Sequence, residues 1–191
     1  MAEETKQQVV KLLVQKDNFL VTTCEYERFE AVASVIALGL ILKALGKNFL
    51  LFVPEPPSFP YEFLPGSELL RTEIASQNLI VIVDESKGRL KKIIYDRRKS
   101  AVRLELISSG EPFSPQDISF AYAQPKVDYL IFVNSPRPCG MKELEKFKDK
   151  PVINIDCHPD NELYGGFNWV KEATSLGELF LGLVEYLEEA V

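Results

Sequence analysis

Val9, Val10, Leu12 and Leu13 fall on one side of an otherwise charged segment, a spacing that predicts an amphipathic helix over residues 4–16. Asp17-Asn18 ends it, and Phe19–Thr23 reads as a short buried strand. Glu27–Leu45 predicts a helix whose middle is apolar all round, so both its faces should be covered, with Gly46 as its C-cap. Asn48–Val53 is a second buried strand, and Pro54, Pro56, Pro57 and Pro60 impose an extended loop after it. Strand, helix, strand in this order predicts a right-handed parallel crossover. Leu79–Val83, Tyr129–Val133 and Pro151–Ile155 read as further buried parallel strands, running out into Asp84, Asn134 and Asp156. Leu90–Tyr95 and Ala101–Ile107 break the alternation. They flank the charged turn Asp96-Arg97-Arg98-Lys99 and predict an antiparallel hairpin, inserted over about residues 88–109. Ser114-Pro115-Gln116-Asp117 starts a short helical turn with proline at its first position. Ser175 and Glu178 form a capping box ahead of a last helix, whose stripe is Leu176, Leu179, Phe180, Leu183, Val184 and Leu187.

The predicted fold is α/β: a mostly parallel, Rossmann-like sheet with helices on both faces, carrying the inserted hairpin in one domain spanning 1–191. Composition narrows the chemistry. A chain of 191 residues with 46% hydrophobic and 26% charged side chains has material for one globular core. The net charge of -6 gives no general attraction to nucleic acid or anionic membrane. The basic cluster of the hairpin (Arg89, Lys91, Lys92, Arg97, Arg98, Lys99, Arg103) is a local exception, read as a solvated face. A single histidine excludes His-rich zinc sites and His-Glu-x-x-His proteases. Three cysteines, an odd number, argue against a disulfide framework and for a reducing, cytoplasmic setting. The N-terminus lacks a signal-peptide pattern, and the most apolar run, Ala31–Leu42, is too short to span a bilayer.

In open parallel sheets ligands bind beyond the carboxyl ends of the strands. That singles out Thr22–Glu30, Asp84–Ser86, Asn134–Cys139 and Asp156–Asn161. Asp156-Cys157-His158 offers a potential metal ligand at three successive positions. Cys24, Glu25, Glu27 and Glu30 sit at the start of the long helix, whose free N–H groups attract anions.

The segment Val152-Ile153-Asn154-Ile155-Asp156-Cys157-His158-Pro159-Asp160-Asn161 resembles the signature of the DHH phosphoesterases, Val-Ile-Asn-Ile-Asp-His-His-Pro-x-Asn. These enzymes, which include RecJ-like exonucleases and nanoRNase/pAp-phosphatases, cleave phosphoesters with two Mn²⁺ or Mg²⁺ ions. Upstream, Thr22-Thr23-Cys24-Glu25-Tyr26-Glu27-Arg28-Phe29-Glu30-Ala31-Val32-Ala33-Ser34 is similar, without gaps, to the family's first motif, Thr-Thr-His-x-Asn-Pro-Asp-Gly-Asp-Ala-x-Gly-Ser. Phe63-Leu64-Pro65-Gly66, the strand Tyr129–Val133 and the inserted hairpin extend the resemblance along nearly the whole chain. It implies a degenerate site. The first-motif histidine falls on Cys24, and two metal-binding aspartates fall on Arg28 and Glu30. The bridging aspartate of the second motif falls on Asn134, and the first signature histidine on Cys157. Asp156 and His158 remain, which the family uses for support and for substrate phosphate. Asp84 rivals Asn134 for the second motif, but Asn134 stands 22 residues before Asp156, nearer the family spacing, whereas Asp84 stands 72 before it. With Asp84 in place, Asp84 and Glu30 would be the surviving carboxylate ligands. The family's fourth motif and its small C-terminal substrate-binding domain fall outside this sequence.

Mn²⁺ and Mg²⁺ want carboxylate oxygens, and Arg28 brings a fixed positive charge where a dication would sit. The resemblance therefore implies no resident metal, with Mn or Mg only if activity persists, and three roles. One is a non-catalytic domain for protein interaction, as a homodimer or with another protein, its old site filled by a pair such as Arg28 with Glu30. Another is a metal-free phosphate or nucleotide site built on Arg28 and His158. The third is residual metal-dependent hydrolysis of nucleotides or short oligonucleotides. No membrane and no large nucleic acid is expected as partner. Cys24 and Cys157 should end neighbouring strands, as space-filling thiols, as zinc ligands with His158 or Glu30, or as a disulfide. Cys139, in Arg137-Pro138-Cys139-Gly140, reads as part of a plain turn.

Overall fold

The computed structural model describes residues 2–75 and 78–190, which form two compact units. One, the body, comprises the chain up to Ile74 and from Lys126 onward; the other is the inserted stretch Ala75–Pro125.

The body alternates helix and strand: α1 (Ala2–Gln15), β1 (Asn18–Thr22), α2 (Phe29–Ala44), β2 (Asn48–Phe52) and the two-residue β3 (Leu70–Arg71). In the insertion follow β4 (Leu79–Val83), β5 (Gly88–Arg97), β6 (Val102–Gly110) and β7 (Ile118–Tyr122). The body resumes with β8 (Tyr129–Val133), a 3₁₀ segment (Lys142–Phe147), β9 (Val152–Asp156), β10 (Phe167–Val170) and α3 (Leu176–Ala190). Its sheet has six strands in the order β10-β9-β8-β1-β2-β3, every pair parallel. The α/β class expected from the alternation is the class observed.

Side-chain alternation along the strands divides the core in two. Phe19 and Val21 of β1, Ile131 and Val133 of β8, and Ile153 and Ile155 of β9 join α1, α2 and α3 on one face. Leu20, Phe52, Leu130 and Phe132 project to the other, where Leu144 and Phe147 of the 3₁₀ segment cover them. The long helix α2 is buried on more than one side, at Ala31, Val32, Val35, Ile36, Leu38 and Leu42, because it packs on both the sheet and α3. Gly39 has a steric reason. A Cβ there would lie 2.5 Å from Leu51 Cδ1, and Leu51 has no exposed surface. At α3 the Glu178 carboxylate accepts from the N–H of Thr174, one residue earlier than the expected box. Strands β3 and β10 escaped the sequence pattern; Trp169 is a buried residue of β10.

The insertion departs from expectation. Leu79–Val83 is not a buried parallel strand: β4 pairs antiparallel with β7, and Leu79, Ile80, Val81 and Ile82 are exposed. Five consecutive apolar residues suit a strand buried on both faces, and periodicity alone carries no information about whether a cover exists. The expected hairpin, β5 with β6, is the distal half of a longer ribbon whose proximal half is β4 with β7.

The ribbon's two halves meet at a polar joint. Asp117 accepts from the N–H and hydroxyl of Ser114, both at 2.7 Å, in the capping box of the short 3₁₀ turn Pro115–Asp117, and pairs with Lys87 at 3.1 Å. The two Ser114 hydrogen bonds and Lys87 hold its carboxyl below the ordinary 3.8, at about 2. A depressed carboxyl contributes its full stabilisation above the ordinary pKa and loses it progressively as pH falls to the lowered value, while in the folded state the carboxylate itself stays ionised down to that lowered value. The joint should therefore persist through pH 3, with the Asp117 side-chain carbonyl resonance shifting only near pH 2; a shift centred at 4 would show the joint is not formed.

Among the described residues no helix is long and apolar enough to cross a membrane.

Candidate strand-end site

The chain leaves β1 for β2 and β3 on one side and returns to β8 on the other, so strand order reverses between β1 and β8. Such a switch point opens a crevice beyond the carboxyl ends of the two strands. Thr23 and Cys24 follow β1 there, Asn134 and Ser135 follow β8, and Asp156 ends β9 next door. The parallel register Thr22↔Phe132 and Val133↔Ile155 brings these residues together from distant parts of the sequence.

A polar lattice fixes the floor of the crevice. Ser135 Oγ donates to Val133 O at 2.9 Å, so it acts as acceptor for the N–H of Cys24, at 2.9 Å, and for the Thr23 hydroxyl, at 3.4 Å. Asn154, wholly buried, donates to Ser135 O at 3.0 Å and to the Tyr164 hydroxyl at 3.2 Å, and accepts from Asn161 at 2.8 Å. Burial first, then Asp156, pushes the Tyr164 hydroxyl above its usual range, so it stays neutral. Asp156, also fully buried, accepts from His158 Nδ1 at 2.7 Å, from the N–H of Cys157 at 2.8 Å and from Asn161 Nδ2. Buried polar groups persist only when partnered, and here one carboxylate organises three donors.

Asn134 is the exception. It is 1% exposed, its φ is 50°, and neither side-chain Nδ2 nor Oδ1 has a partner among the described residues. Left-handed backbone at a residue other than glycine together with a buried unpaired amide is unfavourable twice over. Glu30 Oε1, at the start of α2, is likewise buried without a partner.

The cysteines pair differently from expectation. Cys24 is bonded to Cys139, their Cα atoms 5.7 Å apart, and Cys157 is the free one. Cys139, expected only in a plain turn, lies 115 residues from Cys24 in sequence; it reaches Cys24 because β1 and β8 are neighbours. The Cys157 thiol is held above its ordinary 9.0, by burial first, then by Asp156 and Glu30, with Arg28 opposing. A protonated thiol is a poor nucleophile and a poor ligand. Without reductant the folded protein should show one thiol, slow to alkylate at neutral pH and at a pH where an ordinary thiol already reacts fast. A mass spectrum with two or three alkylated cysteines would contradict the pairing.

Arg28 does not bridge to Glu30. It lies 3.7 Å from Glu25, with its side chain half exposed, because Arg28, the N-cap of α2, reaches back into the loop more easily than to the buried carboxylate. Asp84 belongs to the insertion, where it is exposed and accepts from the N–H of Ser86 at 2.8 Å; it does not end a strand of the parallel sheet. Its rivalry with Asn134 for the strand-end position is removed. Asp156, Cys157 and His158 do bring three ligand-type atoms within 4.8 Å of one another.

These residues do not fit a pair of hard dications. Cys24 is held in a disulfide, Cys157 is protonated, Asn134 is neutral, and Asp156 is shared among three donors. Tyr129 packs on Phe19 and Phe167, and Tyr164 on Phe132. Comparison with known proteins finds no family model and no curated protein that matches the chain.

Proposed function

We propose that the chain is a degenerate DHH-phosphoesterase-like domain that lacks two-metal hydrolysis and acts through protein interaction. The observation that carries this reading is the Cys24–Cys139 bond at the end of β1, which removes the side chain aligned with the first-motif histidine from any metal. Without a bound dication, no low-pKa water is generated as nucleophile. Purified protein should show neither Mn²⁺ binding by calorimetry nor Mn²⁺-dependent turnover of pAp, short oligonucleotides or cyclic dinucleotides. Turnover that Asp156→Ala or Glu30→Gln abolishes would overturn the reading.

One observation favours a second role. The unpartnered amide of Asn134, buried at the switch point beside β9, suits a small ligand that both donates and accepts, such as phosphate or a nucleotide. Thermal-shift screening with inorganic phosphate and nucleotides should then find stabilisation that His158→Ala or Arg28→Ala removes. A flat response across the panel leaves the interaction role alone.

A further inference from the structure

Charge is sorted unevenly along the chain. The distal hairpin, Gly88–Gly110, carries seven lysines and arginines against two acids, a net charge of +5 in a chain whose total is -6. The chain-wide charge that argued against a membrane thus averages a basic hairpin with an acidic remainder. Two of the arginines are neutralised locally, Arg98 by Asp96 at 3.2 Å and Arg103 by Glu105 at 3.5 Å. Arg89, Lys91, Lys92, Arg97 and Lys99 are exposed and have no ion-pair partner among the described residues.

The two faces of the hairpin differ. Side chains directly opposite in an antiparallel pair share a face, so Ile93 with Leu106, Tyr95 with Leu104, and Arg97 with Val102 line one of them. The other pairs Ile94 with Glu105 and Asp96 with Arg103, so both acids of the hairpin stand there. The first face holds no acid, and its Ile93, Tyr95, Val102 and Leu104 are 56%, 72%, 58% and 52% exposed. Cations flank this apolar stripe at both ends. Arg97, Arg98 and Lys99 stand at the turn. Lys91 and Lys92 stand at the far end, where a register shift between Leu90 and Lys92 leaves Lys91 without a cross-strand partner.

We propose that this hairpin docks on an anionic lipid surface, lying flat with its acid-free face in the headgroup region and its flanking cations on lipid phosphates. Apolar side chains at the headgroup boundary and a polybasic flank are two signals that together hold a peripheral segment on a membrane. Lysine and arginine stems are long enough to bring their charges back to the phosphates while the stripe is immersed. Both acids face away from the lipid, each beside an arginine. A nucleic-acid backbone would meet the cations but offers nothing to the aliphatic stripe. A second copy would meet the stripe but set cations against cations. An anionic bilayer supplies both counterparts over the whole contact. The inference rests on the inserted hairpin alone and stands whether or not the strand-end site binds anything.

Co-sedimentation of the full chain with lipid vesicles tests it. Binding to equimolar phosphatidylcholine and phosphatidylglycerol should be about tenfold or more tighter than to phosphatidylcholine alone, and should weaken as salt rises. Lys91→Gln with Lys92→Gln should lower the affinity by about fivefold for each cation removed. Tyr95→Ser with Leu104→Ser should lower it by about tenfold or more. Tyr95→Trp should give emission that shifts to the blue on anionic vesicles, against the constant signal of the buried Trp169. That conservative variant reports insertion of the face when the others misfold. No binding to anionic vesicles, equal affinity for the two compositions, or an unshifted Tyr95→Trp emission in vesicle-bound protein would overturn the proposal. So would tighter binding to a duplex or single-stranded oligonucleotide than to anionic vesicles, which would assign the hairpin to nucleic acid. A doubling of the 21.6 kDa mass that Tyr95→Ser with Leu104→Ser abolishes would assign the face to a second copy and overturn it equally.

Discussion

Asp156→Ala should lower the stability of the body by about 3–5 kcal/mol, the range for breaking a buried charged network from one side. The carboxylate is fully buried and serves His158, the Cys157 N–H and Asn161 together. Deleting it strands three donors, and Asn161 also holds the loop by accepting from the N–H of Leu163 at 2.8 Å. Asp156→Asn preserves the shape and one acceptor, so it should lose clearly less. Urea denaturation followed by Trp169 fluorescence measures both, since that indole is buried in the strand next to β9. Equal losses for the two variants would show that shape, not the carboxylate, matters at this position.

Cys139→Ser should cost about 2–4 kcal/mol, the usual contribution of a disulfide. The loop that the bond closes is long, with a sequence separation of 115, and chain-entropy arguments for that length put the ceiling at about 5 kcal/mol. The same loss should follow from reductant on the wild type and should be absent when reductant is added to Cys139→Ser. If the variant matches the oxidised wild type in denaturant midpoint, the bond contributes nothing to the folded state.

The sequence announced the body well and the insertion poorly, for one physical reason. Tyr129–Val133 is apolar throughout, and Val152–Asp156 is apolar except for the buried Asn154 and Asp156, because both faces of these strands are covered and the crossovers between strands give parallel pairing. Leu79–Val83 has the same apolar run, yet it lies in an exposed ribbon, because a run of side chains records a need for cover and not the chain that supplies it. The site was legible where its residues lie close in sequence. Asp156, Cys157 and His158 came from one segment, and Asn134 from the end of a recognisable strand. Cys139 and Ser135 were opaque: their roles depend on β8 lying beside β1, a neighbourhood that only the sheet order reveals. Arg28 shows the opposite error, a pairing with Glu30 inferred from an old role and replaced in the fold by the nearer Glu25.

The pairing of Cys24 with Cys139 has an architectural consequence. The insertion Ala75–Pro125 interrupts the body, so β1 and β2 reach it from one side of the break and β8, β9 and β10 from the other. The disulfide joins these two parts at the β1–β8 seam, where they meet. A protease cut at the exposed Arg97-Arg98-Lys99 turn would leave a single covalent molecule, which separates into two fragments on a denaturing gel only after reduction. A nicked insertion thus leaves the two parts of the body fastened to each other.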